Sequence, residues 1–466
     1  MKRIVRKLLI ILFLSCLAPL FSQNNAKGAV LDPVRYEQTE AKPLLLARSY
    51  SSLPRSVSLK QYSPIPGNQG NFGTCTAWST AFAARTISES FSLKRTDRTA
   101  TSSEVFSPAH IYKNISNDPE CQRGTSIYAA LALMKNEGAV KRLPIESQID
   151  FRDILLDFYS SSKRYPIADF VRLSSNDASG SNDKLVLNVK KSLSEGKPVI
   201  IGMYCPVSFE IAGYYGDVWE PDEEFGNYGG HAMCVVGYDD SKYGGAFEVQ
   251  NSWGPDWGDN GYIWIRYSDF SVWVREAYEM IEILSGFTDT VQFSSSIEID
   301  VYSPAGNMPV SFDRSGFYKS LTVYPAGTGF QYLMTNKEPS YVYAFSADNF
   351  SGSVDRIFPS SGVSPILDYT DSTIAWPSDD EWLHLDNAPG TDYLIVLYSK
   401  VALDINAIQR RFAAAQGSFP QRTAIAVGPD FIPYNQANYS ANKIEFSAQS
   451  SNPKAVFGLL LAIEHR

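Results

Sequence analysis

The chain has 466 residues, of which 44% are hydrophobic and 20% charged, and its formal net charge is −9 at pH 7. This composition excludes disorder along most of the chain, and the length is enough for two domains. An acidic chain without a basic stripe lacks the positive surface that nucleic-acid binding needs, so we expect no nucleic-acid partner.

The N-terminus has the pattern of an export signal. A basic stretch precedes an apolar run from Leu8 to Leu17 that is too short to span a bilayer, and cleavage is predicted after Ser22. We therefore expect residues 1–22 to be a signal peptide and the protein to be secreted, or to lie in the periplasm or cell envelope. A lipoprotein anchor at Cys16 is the alternative. Beyond this signal we expect no transmembrane segment.

Residues 23–52 show neither helical nor strand periodicity, and we interpret them as an N-terminal tail or short pro-segment. The sequence leaves open whether they are removed or block a cleft. In residues 53–285 helices come first and strands second, which predicts one α+β domain with a cleft between its halves. The predicted helices are Thr74 to Ile87, one starting at Ser107, and Ser126 to Glu137, and the predicted strands are Val199 to Tyr204, His231 to Val236, Ala246 to Asn251 and Tyr262 to Arg266.

The C-terminal third has a different composition. Residues 286–300 carry three consecutive serines and no clear element, so we expect a linker there. Residues 301–466 are rich in Tyr, Phe, Val, Gly, Pro and Ser, which predicts a mainly-β accessory domain. The elements predicted in it are strands at Leu321 to Tyr324 and Tyr393 to Tyr398, one helix at Asp404 to Ala415, and a closing strand at Val456 to Ile463.

Five cysteines occur, and four remain without the signal. If Cys75 is a free thiol, at most one disulfide can form among Cys121, Cys205 and Cys234, so disulfides do not build this fold. We expect Cys205 and Cys234 to be buried thiols in or beside strands, with a bridge as the alternative. Cys121 lies in a polar loop and is expected to be exposed.

Three separated segments carry chemistry. Cys75 follows Gln69-Gly-Asn-Phe-Gly-Thr at the start of a predicted helix, His231 follows two glycines, and Asn251 precedes Ser-Trp-Gly. A helix N-terminus and a neighbouring imidazolium both lower the pKa of a thiol, which makes Cys75 a candidate nucleophile. His231 is the matching general acid and base.

The remaining groups of the set would orient and stabilise. Asn251 can accept a hydrogen bond from the imidazole, and Trp253 can shield that bond from water. Gln69 can aim a side-chain N–H, beside the backbone N–H of Cys75, at a developing oxyanion. The candidate catalytic residues are therefore Cys75, His231, Asn251 and Gln69.

These segments resemble those of the papain-like cysteine peptidases, over about residues 53–285. The family pattern is Gln-Gly-x-Cys-Gly-Ser-Cys-Trp-Ala-Phe-Ser, then x-His-Ala, then Asn-Ser-Trp-Gly-x-x-Trp-Gly. The resemblance implies a two-lobed fold, a thioester acyl-enzyme, a protein or peptide substrate and no cofactor. It also implies the candidate substrate-binding residues Gly124, Trp253 and Gly73. No Cys/His spacing predicts a metal site.

The sequence departs from the family pattern in three places. Phe72 replaces a disulfide cysteine, Thr76 replaces the Trp after the nucleophile, and Gly230 replaces an Asp or Asn before His231. The segment before the domain is much shorter than the inhibitory propeptide of animal and plant enzymes. It is therefore more similar to a bacterial branch of the family.

The C-terminal region is similar to a β-rich domain of unknown function found on bacterial enzymes, which implies an accessory role and a surface or protein ligand. Alternatives to peptide hydrolysis are an amide-directed acyl transfer at the same site, or a catalytically silent papain fold used for binding. The acidic run Glu220-Pro-Asp-Glu-Glu224 is either a solvated loop or a cation-preferring subsite.

Overall fold

The computed structural model describes residues 26–174, 183–226, 228–283, 290–303, 305–313, 316–348, 354–378 and 381–466. The predicted signal peptide and its alternative anchor at Cys16 lie outside the described residues. The chain divides into two compact units. The first comprises residues 1–32, 58–165 and 200–275, and the second comprises residues 33–57, 166–199 and 276–466.

The helices of the described part concentrate before residue 140 and in a pair near residue 415. They are α1 (Pro33–Gln38), α2 (Ala47–Ser51), α3 (Cys75–Ala77, continued by the π-helical Trp78–Arg85), α4 (Thr86–Ser92), α5 (Arg98–Ser103), α6 (Pro108–Ile115), α7 (Ile127–Asn136), α8 (Asp183–Ser194), α9 (Val207–Ala212), α10 (Tyr267–Trp273), α11 (Ile405–Ala414) and α12 (Phe419–Val427).

The strands concentrate in the C-terminal half. They are β1 (Ser56–Ser58), β2 (Asp169–Arg172), β3 (Val199–Tyr204), β4 (Val218–Trp219), β5 (Gly230–Asp239), β6 (Ala246–Gln250), β7 (Tyr262–Arg266), β8 (Val274–Ile281), β9 (Val291–Val301), β10 (Gly306–Asn307), β11 (Val310–Asp313), β12 (Phe317–Ser320), β13 (Gly329–Asn336), β14 (Ser340–Asp348), β15 (Val354–Phe358), β16 (Ile366–Leu367), β17 (Ser372–Trp376), β18 (Leu383–His384), β19 (Gly390–Ser399), β20 (Ala437–Tyr439), β21 (Ile444–Ser450) and β22 (Val456–His465).

The first unit combines a helical part with a sheet. The strand order is β3-β5-β6-β7-β4. β5 and β6 pair antiparallel with Cys234 opposite Gln250, and β6 and β7 pair antiparallel. β5 and β6 are almost fully buried, although β6 contains the polar residues Glu248 and Gln250. This sheet places Gly230 and His231 at the start of β5 and Asn251 directly after β6.

The second unit is a β-sandwich with helices on one outer face. One sheet has the order β17-β13-β9-β21-β20 and the other β11-β12-β22-β19-β14-β15. Their facing side chains form one core, in which Phe293 and Met334 of the first sheet join Val396 and Phe457 of the second. Helices α11 and α12 cover the opposite face of the second sheet through Phe412 and its neighbours. This arrangement buries both faces of the second sheet.

Several local predictions are wrong. The linker predicted at 286–300 is wrong over residues 291–300, because the strand β9 occupies Val291–Val301 and alternates buried and less buried side chains through the three serines. Residues 286–289 lie outside the described residues. Leu321 to Tyr324 is no strand; Tyr324 forms only an isolated bridge to His465. The C-terminal region has two helices, α11 and α12, whereas only one helix was predicted there. In each case the outcome depends on pairing partners far away in the sequence.

Cys121 is buried, against the expectation for its polar loop. The loop closes around Asp118, whose carboxylate accepts the backbone N–H groups of Gln122 and Arg123 at 2.6 and 2.7 Å. The Asp118 carboxylate thus forms hydrogen bonds with backbone N–H groups of its own loop, and the Cys121 thiol is buried in the interior. The other thiols of the described residues, Cys75 among them, are also buried and unpaired.

The N-terminal segment is not a free tail. Within the second unit, Ala41 bridges to Arg172 and Val363, and Leu45 bridges to Ile374. Each contact uses one or two residues, so the segment has no repeating pattern that sequence inspection could detect.

Among the described residues, no helix combines the length and the apolar character that crossing a bilayer requires.

A buried cluster of charges fixes this segment in the second unit. The Lys42 ammonium lies 2.8 Å from the Asp368 carboxylate and also pairs with Glu279, and all three side chains are at most 4% exposed. Lys197 pairs with both carboxylates. Burial raises the pKa of Glu279, whereas the two ammonium groups hold the pKa of Asp368 well below its usual range against the effect of burial.

Replacing Lys42 with Met should lower the free energy of unfolding of the second unit by about 3–5 kcal/mol, since it leaves two buried carboxylates to share the one ammonium of Lys197. The matched change Lys319→Met, at a surface ion pair with Asp313, should cost less than about 1 kcal/mol. Urea unfolding followed by near-UV circular dichroism measures both. Equally small losses of unfolding free energy in the two variants would contradict the stabilising role of the buried cluster.

Candidate functional site

The thiol of Cys75 lies at the N-terminus of a buried helix. Cys75 is the first residue of α3, after Thr74, and its side chain is fully buried. The following turns, Trp78–Arg85, are π-helical, a geometry that is uncommon and often found at functional sites. The thiol lies against the backbone N–H groups of Thr76, Ala232 and Gly28. The fold therefore brings Cys75 next to the strand that carries His231.

His231 and Asn251 form a defined pair. The imidazole Nε2 lies 2.8 Å from the Asn251 Oδ1, which also accepts the backbone N–H of Ser252 at 2.8 Å. The Asn251 atom at this position accepts the Ser252 N–H, so it is the amide oxygen, which can only accept hydrogen bonds. Nε2 must therefore be the donor, and the neutral imidazole carries its proton on Nε2. The Nδ1 atom is then a free acceptor: it is buried and has no hydrogen-bond partner among the described residues.

Trp253 covers the imidazole. Its ring stacks on His231 with centroids 4.6 Å apart and planes 22° apart. The same indole packs edge-on against Trp257, at 5.1 Å. The His231–Asn251 hydrogen bond is therefore shielded from water, as the motif predicts.

Gln69 is held beside the same loop. Its Oε1 accepts from the Ser252 hydroxyl at 2.5 Å, and its backbone N–H donates to the Ser252 carbonyl at 2.8 Å. Its Nε2 donates to the carbonyls of Phe72 at 2.7 Å and Ala26 at 3.1 Å. The donor predicted for an oxyanion thus already binds a carbonyl oxygen of the chain itself.

Residues 26–31 occupy the cleft, which the sequence did not predict. The Ala29 N–H donates to the Gly230 carbonyl at 3.0 Å, and the Val30 N–H donates to the Thr125 carbonyl at 3.0 Å. The Gly28 carbonyl accepts the Thr125 N–H at 2.8 Å. On the other side of Cys75, the Ala26 carbonyl accepts from the Trp253 indole at 3.2 Å.

Glycines make this close approach possible. A Cβ on Gly28 would overlap the carbonyl of Gly73, and one on Gly124 would overlap the carbonyl of Gly28. A Cβ on Gly230 would overlap the carbonyl of Ala29. The structure thus places the candidate substrate-binding residues Gly73 and Gly124 on the wall that contacts a peptide backbone in the cleft. Gly230, which the sequence marks only as a departure from the family pattern, lies on the same wall.

The covered site holds its two titrating groups neutral. Burial raises the pKa of the Cys75 thiol to about 11, although three backbone N–H groups lower it. Burial lowers the pKa of His231 to about 4, opposed by the Asn251 hydrogen bond and reinforced by the Lys27 ammonium. The predicted thiolate–imidazolium pair is therefore not the state of the covered site at neutral pH.

Lys27 and Glu210 are polar residues that the motif analysis missed. The Lys27 ammonium pairs with the Glu210 carboxylate and donates to the Cys205 carbonyl at 3.0 Å. The two residues lie far apart in the sequence, and neither belongs to a motif. Across the described ranges, no cluster of three His, Cys, Asp or Glu side chains could hold a metal ion.

Comparisons with known proteins identify the region. Residues 53–279 match the model of the papain family of cysteine proteases. The cysteine protease XCP2 of Arabidopsis thaliana is 26% identical over 51% of this chain and 62% of its own length. An uncharacterized peptidase C1-like protein of Acanthamoeba polyphaga mimivirus is 26% identical over 43% of this chain and 63% of its own. The chain thus spans less than two thirds of these relatives.

Xylellain, a cysteine protease from Xylella fastidiosa, shares 20% identity and superposes with a TM-score of 0.42, covering 56% of this chain and 97% of that one. The predicted fold class is confirmed: a papain-like domain over about half the chain, with helices and sheet, followed by a β-rich region.

Asn251→Asp should raise the pKa of His231 from about 4 toward its ordinary value of 6.5, because a carboxylate beside Nε2 favours the imidazolium. Imidazole NMR signals followed from about pH 3 to about pH 8 measure the change. Asn260→Asp, on the exposed part of the same loop, is the control and should leave His231 unchanged. An unchanged titration in both variants would contradict the hydrogen bond.

Proposed function

Because residues 53–279 are a papain-family cysteine protease domain, we propose that this chain hydrolyses peptide bonds in protein or peptide substrates through Cys75, His231, Asn251 and Gln69. The observation that supports this most is the His231–Asn251 hydrogen bond of 2.8 Å. It leaves the Nδ1 lone pair of a shielded imidazole free to accept the proton of a thiol. A packing histidine has no need of such an arrangement.

Acylation follows from these positions. The Cys75 sulfur attacks the substrate carbonyl carbon while His231 takes the thiol proton. The oxyanion accepts hydrogen bonds from the Gln69 Nε2 and the Cys75 backbone N–H. When the C–N bond breaks, His231 gives its proton to the leaving amine, and a thioester remains on Cys75.

Deacylation reverses these roles. Water attacks the thioester carbonyl, and His231 takes a proton from it. The C–S bond breaks, the sulfur recovers the proton, and the acid product leaves. Asn251 keeps the imidazole in one tautomer throughout both steps.

Residues 26–31 hold the enzyme in a covered state in this proposal. The thiol faces the N–H of Gly28, whereas the carbonyl that binds Gln69 belongs to Ala26. Attack requires one carbonyl to meet both the thiol and the oxyanion donors, and here different residues meet them. The segment therefore occupies the cleft without being presented for cleavage.

Export and the accessory role of the C-terminal region belong to the same proposal. The basic and apolar start of the chain supports secretion or an envelope location. The β-rich region supports a surface or protein ligand. Acyl transfer to an amine is the alternative use of the thioester, and product masses separate it from hydrolysis.

Gly28→Val should uncover the site, because its side chain would overlap the Gly73 carbonyl. We expect the variant to digest a denatured protein at least about tenfold faster than the parent chain, and to react faster with iodoacetamide at Cys75 at pH 7. Adding Cys75→Ala should abolish digestion. Val30→Ala, at a half-exposed position, is the control and should match the parent. A folded Gly28→Val chain without Cys75-dependent digestion would contradict the proposed activity.

Acid should also uncover the site. His231 has a pKa of about 4 in the covered state against an ordinary value of 6.5, so the open state binds more protons between these values. The covered state is favoured above pH 6.5 and loses stability as the pH falls toward 4. Alkylation of Cys75 in the intact chain should therefore fall from about pH 7 to about pH 5 by clearly less than the roughly hundredfold fall of an ordinary thiol. A full hundredfold fall over this range would contradict the linkage.

A further inference from the structure

The Lys27 side chain occupies a cation site inside the cleft. Its ammonium pairs with the Glu210 carboxylate and donates to the Cys205 carbonyl at 3.0 Å. The two side chains are only 24% and 26% exposed, so water screens the pair incompletely. The Lys27 methylenes lie against Gly229. The site thus contacts both the charge and the stem of a long basic side chain.

The carboxylate of this site is held in place by the aromatic cluster beside the imidazole. The Glu210 backbone carbonyl accepts from the Trp257 indole at 3.1 Å. The preceding residue, Phe209, packs against Trp253 and Trp257 with centroids 6.0 and 5.6 Å apart. Trp253 in turn stacks on His231. Glu210 is therefore built into the wall that carries the catalytic pair.

A second carboxylate adds to the negative potential. Glu223 accepts the Ser208 backbone N–H at 2.8 Å and also its hydroxyl. Both Glu210 and Glu223 act electrostatically on the Cys205 thiol, where Lys27 acts in the opposite sense. Glu223 belongs to the acidic run for which a cation-preferring subsite was one interpretation. The run and Glu210 thus favour a cation at the same place.

The position of this site along a bound peptide follows from the neighbours of Lys27. Ala26, before it, contacts Gln69 and Trp253. Gly28, after it, contacts Cys75 and then the wall at Gly124. His231 gives its proton to the leaving amine, and Glu210 lies in the aromatic wall that covers His231, so the site of Lys27 lies on the leaving-group side.

We propose that Glu210 is a specificity residue, which selects substrates with a Lys or Arg side chain in the first residue of the leaving group. This rests on the proposed peptidase function. When residues 26–31 leave the cleft, the carboxylate loses its cation. A basic substrate side chain restores the ion pair, a neutral one supplies no charge to replace the Lys27 ammonium, and an acidic one is repelled.

The test uses the full chain with Lys27→Glu, a change that repels the segment from Glu210 and opens the cleft. Three internally quenched peptides differ only in the first leaving-group residue, which is Lys, norleucine or Glu. Norleucine matches the lysine stem without its charge. We expect kcat/KM to be roughly tenfold higher for Lys than for norleucine, and lowest for Glu.

Variants of the carboxylate assign the preference. In the same chain, Glu210→Gln should bring the Lys-to-norleucine ratio to about one. Glu210→Lys, tested with Lys27 retained so that like charges repel the segment, should make Glu the preferred residue. Glu224→Gln removes an exposed carboxylate from the nearby run, and its ratio should stay roughly tenfold. If the Glu210 variants do not fold, the ratio in the Lys27→Glu chain should still fall toward one as NaCl rises to about 1 M.

A binding measurement separates this inference from the proposed activity. Fluorescence anisotropy compares the Lys and norleucine peptides on the Cys75→Ala, Lys27→Glu chain. Tighter binding of the Lys peptide without hydrolysis in the Cys75 form would support the subsite and reject the peptidase. Hydrolysis without a Lys preference would keep the peptidase and overturn the subsite. Equal binding of both peptides would also overturn it.

Discussion

The close approach of two peptide backbones is the constraint on which the site depends. Gly28 fits beside Cys75 because it lies against the Gly73 backbone without a Cβ of its own, and because Gly124 has no Cβ to meet the Gly28 carbonyl. A wall of this kind recognises main-chain atoms, so it accepts peptides of many sequences. The same property lets the chain's own N-terminal segment occupy the cleft. Substrate binding and self-coverage therefore follow from one feature.

Coverage changes the chemistry of the nucleophile as well as access to it. The helix N-terminus and the backbone N–H groups around Cys75 favour a thiolate, yet burial outweighs them and the pKa of the thiol rises. Burial likewise keeps His231 neutral. Residues 26–31 contribute to this state, because the Gly28 N–H lies against the Cys75 thiol and the Lys27 ammonium opposes a charge on His231.

The N-terminal segment belongs to both units. Residues 26–31 contact the cleft of the first, and beyond Pro33 the chain belongs to the second, where Lys42 enters a cluster of buried charges. Removing one partner of such a buried cluster is costly, because the remaining charges stay out of water. The cluster thus holds the chain beyond Pro33 within the second unit.

The sequence by itself determined the papain-like fold class and the chemical identity of Cys75, His231, Asn251 and Gln69. Their residue types encode the reaction, and the adjacent glycines and tryptophans dictate the local backbone. The roles remain proposals, although the structure brings these residues together. The short apolar strands of the first unit were also predictable, because a continuous buried run is a local property.

Only the tertiary structure decided what occupies the cleft. The contacts of residues 26–31 are single hydrogen bonds to segments far away in the chain, which leave no periodicity to read. The strand β9 across three serines likewise depends on distant partners, the strands β13 and β21. The pairing of Lys27 with Glu210 likewise depends on distant residues, since a charge gains its partner only when the fold removes both from water.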